Sequence, residues 1–404
     1  MYIHRNLESI ILRTSQAFPV ILLTGPRQVG KTTLLKHLSE NGRKYVTLDN
    51  PLLRDLAEND PAVFLQRYSP PVFIDEIQYA PALLPYIKMY VDENKRKGDF
   101  WLAGSQVFHM MKGIGESLAG RVGIIQMLGL ANSELMDYPG VPYQTDMASL
   151  NEKRSRAKPQ DLNAVFQRIF KGSMPVLYET GQDLEMYYSS YVSTYLQRDV
   201  RDLTQVGDEL AFMRFMTCCA ARTSQMVNYA DMAKDVGISP PTAKQWLSIL
   251  ITSGLVALVE PYSNNMLTRV IKSPNLYFLD TGLCAYLTRW SNAETLEASA
   301  MSGPFFETYV VSEIIKSYYN AGKRPPICYY RDTDKREIDL ILEKDNMLFP
   351  IEIKKSGNPK RDAIRHFHLL AQTGKQIGPG NVICLCSELI PIDQNNYLVP
   401  VWLI

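Results

Sequence analysis

The sequence of 404 residues has no excess of charge of either sign. Its 43 Lys and Arg stand against 42 Asp and Glu, a formal net charge of +1. A polyelectrolyte chain is excluded, and any surface for nucleic acid has to be a local basic patch. Cysteine is sparse. The six, Cys218, Cys219, Cys284, Cys328, Cys384 and Cys386, are scattered without zinc-finger spacing, and Cys384 and Cys386 sit in an apolar run that reads as a core strand. A disulfide framework and a structural zinc are not expected. No stretch approaches the ~18 uncharged apolar residues of a membrane span. The first residues, MYIHRNLESIILRTSQAFPVILLTG, lack an apolar signal core followed by a small-residue cleavage site. The expectation is a cytoplasmic protein with no membrane partner. Fixed-period repeats and low-complexity segments are absent too. What is present is ordinary globular material, 46% hydrophobic and 21% charged, enough for two to four domains at about 100–200 residues each.

Short apolar runs alternate with helical patterns from Phe18 to about Leu130: Pro19–Leu23, Lys44–Leu48, Val72–Ile74 and Phe100–Ala103. That alternation predicts a parallel sheet with crossover helices, an α/β fold. The boundaries read as 1–131 for this core, 132–205 for a helical lid or linker, 206–290 for a helix-turn-helix unit and 300–404 for a second, smaller α/β unit. The polar stretch Asn151 to Ala157 reads as an exposed loop.

Gly25-Pro26-Arg27-Gln28-Val29-Gly30-Lys31-Thr32-Thr33 carries the pattern G-x-x-x-x-G-K-T between an apolar strand and a helical run. This context defines a phosphate-binding loop. Its glycines let the backbone curl so that N–H groups face the phosphates, and the helix N-terminus adds a favourable dipole. Lys31 is expected on the β- and γ-phosphates and the Thr32 hydroxyl on Mg²⁺. A second apolar run, Pro71-Val-Phe-Ile, ends in Asp75-Glu76. Asp75 would hold Mg²⁺ through water, and Glu76 would orient the attacking water. A kinase needs no second carboxylate there, so the pair points to hydrolysis of Mg-ATP. Ser105 or Gln106, after the strand Phe100–Ala103, can position the lytic water. Arg121 can neutralise transition-state charge in cis or, in a homo-oligomer, in a neighbouring site. Asp49 ends a strand on the same sheet edge, where ligands of open α/β sheets collect, as a cap or a catalytic group.

These residues, with ESLAGRV, YVSTYLQRDVRDL, the segment from Ala221 to Leu250 and SPNLYFLDTGLCAYL, resemble a prokaryotic family that joins an AAA-type ATPase domain (AAA_14) to a C-terminal DUF4143 domain. The resemblance spans nearly the whole chain. It implies an AAA-type P-loop NTPase sheet, a winged-helix element and a nuclease-like C-terminal fold, with ATP and Mg²⁺ as cofactors.

The middle block reads as a winged helix-turn-helix. Asn228 caps a helix over Tyr229 to Asp235 and Gly237 ends it. Ser239 caps a second helix with Pro240 at its first position, which stops at Gly254. Leu255–Val259 and Arg269–Lys272 read as a hairpin. Thr242, Lys244, Gln245, Arg269 and Lys272 are few groups for DNA phosphates, and a lid or subunit contact is the other reading. Arg198, Asp199 and Arg201 sit on a helix over Tyr191–Leu203, where spacings 198/201 and 198/202 share a face that reads as solvated.

In the last block, Glu307 lies on a helix, Asp339 on a strand, and Glu352 and Lys354 two apart on the next, hence on one face. The set resembles the PD-(D/E)xK nuclease constellation of a restriction-endonuclease-like fold. Glu307, Asp339 and Glu352 would hold a second divalent cation and Lys354 would orient water or meet phosphate; Arg331 and Lys335 would grip the DNA backbone. The alternative is an inactive nuclease-like fold in an ATP-dependent switch or assembly factor that binds protein partners.

Overall fold

The computed structural model describes residues 2–39, 42–105, 117–179, 181–195, 208–263 and 273–404. Five parallel strands, β1 (Val20–Thr24), β2 (Lys44–Thr47), β3 (Val72–Asp75), β4 (Phe100–Gly104) and β5 (Val122–Gln126), pair in the order β2-β3-β4-β1-β5. β1 and β4 are buried at every position, as continuous apolar runs covered on both faces require. Thr24 lies beside Gly104 and Gln126, and Thr47 beside Asp75. The loops leaving β1, β3 and β4 therefore open on one edge. β5 was not among the strands read from sequence. Gly123 and the exposed Ile124 interrupt its apolar pattern.

Local signals set the helices of this region. Asn50 accepts hydrogen bonds from the backbone N–H groups of Leu52 and Leu53 at 3.0 and 3.4 Å and starts the helix Pro51–Asn59. Asp60 accepts from Val63 at 3.1 Å and starts Pro61–Arg67. The stretch expected as an exposed loop is largely helix, Met147–Arg154. The Asp146 carboxylate caps it at Ser149, and Leu150 and Lys153 are buried. A cap and one apolar anchor outweigh the polar composition.

Helices Leu162–Lys171, Leu184–Tyr195 and Glu209–Ala221 follow. Then come Tyr229–Val236 and Pro240–Thr252, capped by Asn228 and Ser239, with Gly237 left-handed at φ 81° between them. Trp246 meets Phe212 and Phe215 edge-on at 5.3 and 5.7 Å. Strands β6 (Gln225–Met226), β7 (Val256–Val259) and β8 (Asn275–Phe278) form an antiparallel ladder, β6-β8-β7. The described partner of β7 is Asn275–Phe278. Arg269–Lys272, expected in that place, lies outside the described residues, as do Gln106, Arg198, Asp199 and Arg201.

The buried helix Ser302–Tyr319 leads into a mixed sheet of β9 (Ile327–Arg331), β10 (Glu337–Lys344), β11 (Met347–Lys354), β12 (Gln376–Ile377), β13 (Gly380–Cys384), β14 (Ile390–Pro391) and β15 (Asn396–Pro400), ordered β14-β15-β13-β11-β10-β9 with β12 on β11. Between β11 and β13 the chain forms 3₁₀ turns at Arg361–Ile364 and Phe367–Thr373. One contiguous apolar core runs from Leu7 and Ile21 through Phe212 and Trp246 to Ile404. Glu313 accepts a hydrogen bond from the Asn132 N–H at 2.7 Å, and Lys316 donates to the Leu130 carbonyl at 3.2 Å. The last helix is thus tied to the segment after β5. No described helix is long and apolar enough to cross a membrane.

Candidate nucleotide site and a second polar cluster

The loop after β1 closes on itself. Gly25 has φ 147°, and a Cβ there would stand 1.9 Å from the Met127 carbonyl oxygen. Gly30 has φ 95° at the start of the helix Lys31–Leu38. Both backbone states favour glycine. Lys31 is buried, and its ammonium donates to the carbonyls of Gly25 and Pro26 at 2.9 and 2.7 Å. The Thr32 hydroxyl donates to Asp75 at 2.8 Å across the gap between the loop and β3. Tyr45 also donates to Asp75, at 3.3 Å. Its hydroxyl is pushed up to about 12 by burial and by that carboxylate, so it remains a donor.

Glu76 adopts φ 56°, a left-handed state that costs a non-glycine residue about 1–3 kcal/mol and gathers at functional sites. Burial raises its carboxyl above the ordinary value; a hydrogen bond from Gln78 and the charge of Lys31 hold part of that back. Burial likewise raises Asp75, against the hydrogen bond from Thr32. Ser105, at the tip of β4, is 5% exposed, and its hydroxyl has no hydrogen-bond partner among the described residues. Arg27, Gln28, Gly30, Lys31, Thr32, Thr33, Asp49, Glu76 and Ser105 line one cavity of about 580 Å³. Asp49 belongs to this lining, while the helix after it is capped by Asn50. Pro26 and Val29 belong to the same loop, and Asp75 reaches it through Thr32.

Arg121 does not come to this site. It precedes β5 at the opposite edge of the parallel sheet, a strand length of about 16 Å away. There it forms a two-pronged ion pair with Asp92, at 2.5 and 3.0 Å.

Seven residues that line or fix the site carry no signal for that role in the sequence. Pro175, Val176, Glu179 and Thr194 close the cavity from the helical region. Tyr187 donates to the Gln28 side chain at 2.8 Å. Gly254, beyond the helix Pro240–Thr252, packs so tightly that a Cβ would meet the Pro26 ring at 3.0 Å. Arg5 is buried and donates to Glu134, Val29 and Leu128. Lone residues distant in sequence carry no local signal for such contacts.

The second cluster lies in the last block. The register of Leu340 opposite Ile351 brings Asp339 beside Glu352. Lys354 sits between them, 2.6 Å from Glu352 and 3.6 Å from Asp339. Asp339 accepts from the Ile353 N–H at 2.8 Å, and Glu307 accepts from Tyr277 at 2.8 Å. Burial, then the charge of Asp339, raises Glu307 and Glu352, each to about 8. Burial also raises Asp339. Three carboxyls share one ammonium, so they cannot all ionise together cheaply. Glu307, Asp339 and Glu352, the expected metal ligands, come close enough to interact with one another and with Lys354. Among the described residues, no three His, Cys, Asp or Glu side chains are grouped to hold a metal ion. The ammonium of Lys354 compensates Asp339 and Glu352. Arg331 is engaged with Glu337 rather than standing ready for phosphate.

The parallel sheet, the curled glycine loop and the acidic strand end define a P-loop NTPase-like α/β fold, followed by a helical middle and a mixed-sheet C-terminal region. Comparison with known proteins agrees. Residues 17–136 match the AAA domain family AAA_14, and residues 302–404 match the domain of unknown function DUF4143, so the chain contains both domains. Residues 162–294 match a further domain of unknown function, DUF8612. The uncharacterized proteins Mb2031c of Mycobacterium bovis and Rv2008c of Mycobacterium tuberculosis are each 27% identical over 360 residues, 88% of this chain and 74% of theirs. Among solved structures, the Walker-type ATPase PABY2304 of Pyrococcus abyssi is similar over 71% of this chain and 96% of its own, at 14% identity and TM-score 0.45. RuvB of Thermotoga maritima is similar over 62% and 88%, at 18% identity and TM-score 0.31.

Proposed function

We propose that this chain binds Mg-ATP in the cavity at the carboxyl edge of its parallel sheet and hydrolyses it. The observation that carries the reading is convergence. Lys31, Thr32, Glu76 and Ser105 come from three separate loops and line one cavity, with Asp75 hydrogen-bonded to Thr32 at its rim. The loop N–H groups and Lys31 take the β- and γ-phosphates, for which Lys31 leaves the carbonyls it now contacts. A buried carboxylate joined to a hydroxyl at a helix N-terminus is a hard-oxygen donor pair suited to Mg²⁺. Thr32 and Asp75 would hold the ion, which would supply charge neutralisation at the phosphate oxygens. Glu76 accepts a proton from water as the water oxygen bonds to the γ-phosphorus. The bond from that phosphorus to the bridging oxygen breaks, releasing ADP and phosphate. The Ser105 hydroxyl, which lines the same cavity, would hold that water or a γ-phosphate oxygen. Phosphate release by purified protein tests this. Wild type should release phosphate with Mg²⁺ present, and Lys31→Ala should not; equal rates would refute the assignment.

For the rest of the chain we favour the ATP-dependent switch over the nuclease. The helix-turn-helix and the helix Leu184–Tyr195 touch the phosphate loop directly, through Gly254 on Pro26 and Tyr187 on Gln28. Lys354 meanwhile ties up the carboxylates that a cutting site would need. Incubation of linear, nicked and branched DNA with Mg²⁺ or Mn²⁺ should leave it intact. Cleavage that disappears in Asp339→Ala would reverse this choice.

A further inference from the structure

A phosphate loop works only if its peptide planes are turned the right way. Each trans peptide points its C=O and its N–H in opposite directions. Whatever fixes the carbonyl of one residue therefore aims the N–H of the next. In this chain that carbonyl belongs to Val29, and the group that fixes it is Arg5. Nη1 of Arg5 donates to the Val29 carbonyl at 2.8 Å. The same guanidinium donates through Nη2 to the Leu128 carbonyl at 2.7 Å and through Nε to Glu134 at 3.0 Å. Arg5 and Glu134 are each 5% exposed. Glu134 is held in turn by the backbone N–H groups of Asn6 at 2.9 Å and Ala131 at 2.8 Å. The fork is thus clamped at its far end by an anion that cannot swing away. Three directional bonds to three segments fix a planar guanidinium in a way that an ammonium cannot reproduce.

We infer that Arg5, set by Glu134, is a positioning residue for nucleotide binding. By holding the Val29 carbonyl it turns the Gly30 N–H to the other side of the loop, where Gly30, Lys31 and Thr32 line the cavity. The inference rests on the Mg-ATP reading above. It adds that the cradle is preorganised from outside the loop's own sequence, by residues 24 and 105 positions away from Val29.

The arrangement makes a specific kinetic prediction. A misaimed backbone N–H weakens phosphate binding in ground and transition state alike, which raises KM and leaves kcat in place. A role in fold stability alone removes active molecules, lowering apparent kcat at unchanged KM. The test is steady-state ATP hydrolysis by the full chain carrying Arg5→Lys, with Glu134→Asp as the variant that keeps the guanidinium but moves its anchor. Thermal unfolding without nucleotide establishes that each is folded. The expected result is a KM for ATP raised about 10–100-fold, the worth of one charge-assisted hydrogen bond, with kcat retained. A fall in kcat at constant KM, or wild-type values for both constants in folded Arg5→Lys, would overturn the inference. If Arg5→Lys does not fold, the same criteria apply to Glu134→Asp. Wild-type protein without ATPase activity would instead count against the nucleotide reading itself.

Discussion

Replacing Gly25 by alanine perturbs the site through backbone geometry alone. The added Cβ would lie 1.9 Å from the Met127 carbonyl oxygen, whereas ordinary contact begins near 3.4 Å. One of the two segments must therefore yield by about 1.5 Å. Met127 is the less able to move. Its N–H donates to the Thr24 carbonyl at 2.8 Å, and the next carbonyl, of Leu128, is held by buried Arg5. The phosphate loop has to give way. The residue would also sit at φ 147°, where a side chain costs about 1–3 kcal/mol. Displacement of about 1 Å at a reacting group is worth roughly 10²-fold. Gly25→Ala is therefore expected to lose about two orders of magnitude in kcat/KM for ATP while the two C-terminal regions stay folded. Steady-state hydrolysis and titration with a fluorescent ATP analogue, alongside circular dichroism, read activity, affinity and folding. Wild-type affinity in folded Gly25→Ala would show that the close approach to Met127 does not set the loop and would refute the reasoning.

Other outcomes follow from the same geometry. Gly254→Ala places a Cβ against Pro26 at a left-handed residue (φ 71°) and should cost about 1–2 kcal/mol of stability in thermal or urea unfolding. It should also shift ATP affinity, although Gly254 lies outside the cavity; unchanged affinity would deny the contact a role in relaying nucleotide state. Arg121→Ala should leave kcat and KM unchanged in monomeric protein, because Arg121 lies at the far edge of the sheet on Asp92. Loss of activity would require an arginine acting between copies. The raised Glu76 carboxyl places the acid limb of kcat above the ordinary carboxylate range; a limb at or below that range would contradict ionised Glu76 as the water-orienting group.

The Glu307 and Glu352 carboxyls give a stability test with a fixed sign. Both are raised from 4.5 to about 8 in the folded chain, so folding favours the protonated form. Below the lower value they impose no differential cost. Between the two values the unfolded chain releases these protons while the folded chain retains them, so their contribution to stability falls as pH rises. Glu307→Gln should flatten this decline across the interval. A decline of wild-type steepness in that variant would show that another group is responsible.

The part of the account legible in sequence is the part carried by contiguous residues. The run from Gly25 to Thr33, the Asp75-Glu76 strand end and the caps at Asn228 and Ser239 are local patterns with local physical meaning, and each lies where chain connectivity alone would put it. β5 was not legible, because it carries Gly123 and turns Ile124 to solvent. The helix Met147–Arg154 was hidden by composition, since one cap and one buried leucine decide it. Arg5, Tyr187 and Glu179 reach the site from segments without a motif, Gly254 is legible only as a helix stop, and only the folded chain brings them together. The C-terminal acids were placed on the expected helix and strands, but spacing cannot show that Lys354 would compensate two of them.

The most direct measurement of the central claim is a single-turnover experiment with Glu76→Gln protein and γ-labelled ATP in the presence of magnesium. The variant keeps Lys31, Thr32 and Asp75, so it should take up one ATP per chain and retain the label unhydrolysed while wild type releases it as phosphate. Release from Glu76→Gln at the wild-type rate, or no ATP bound by either protein, would contradict a site in which the loop grips the triphosphate and Glu76 readies the water.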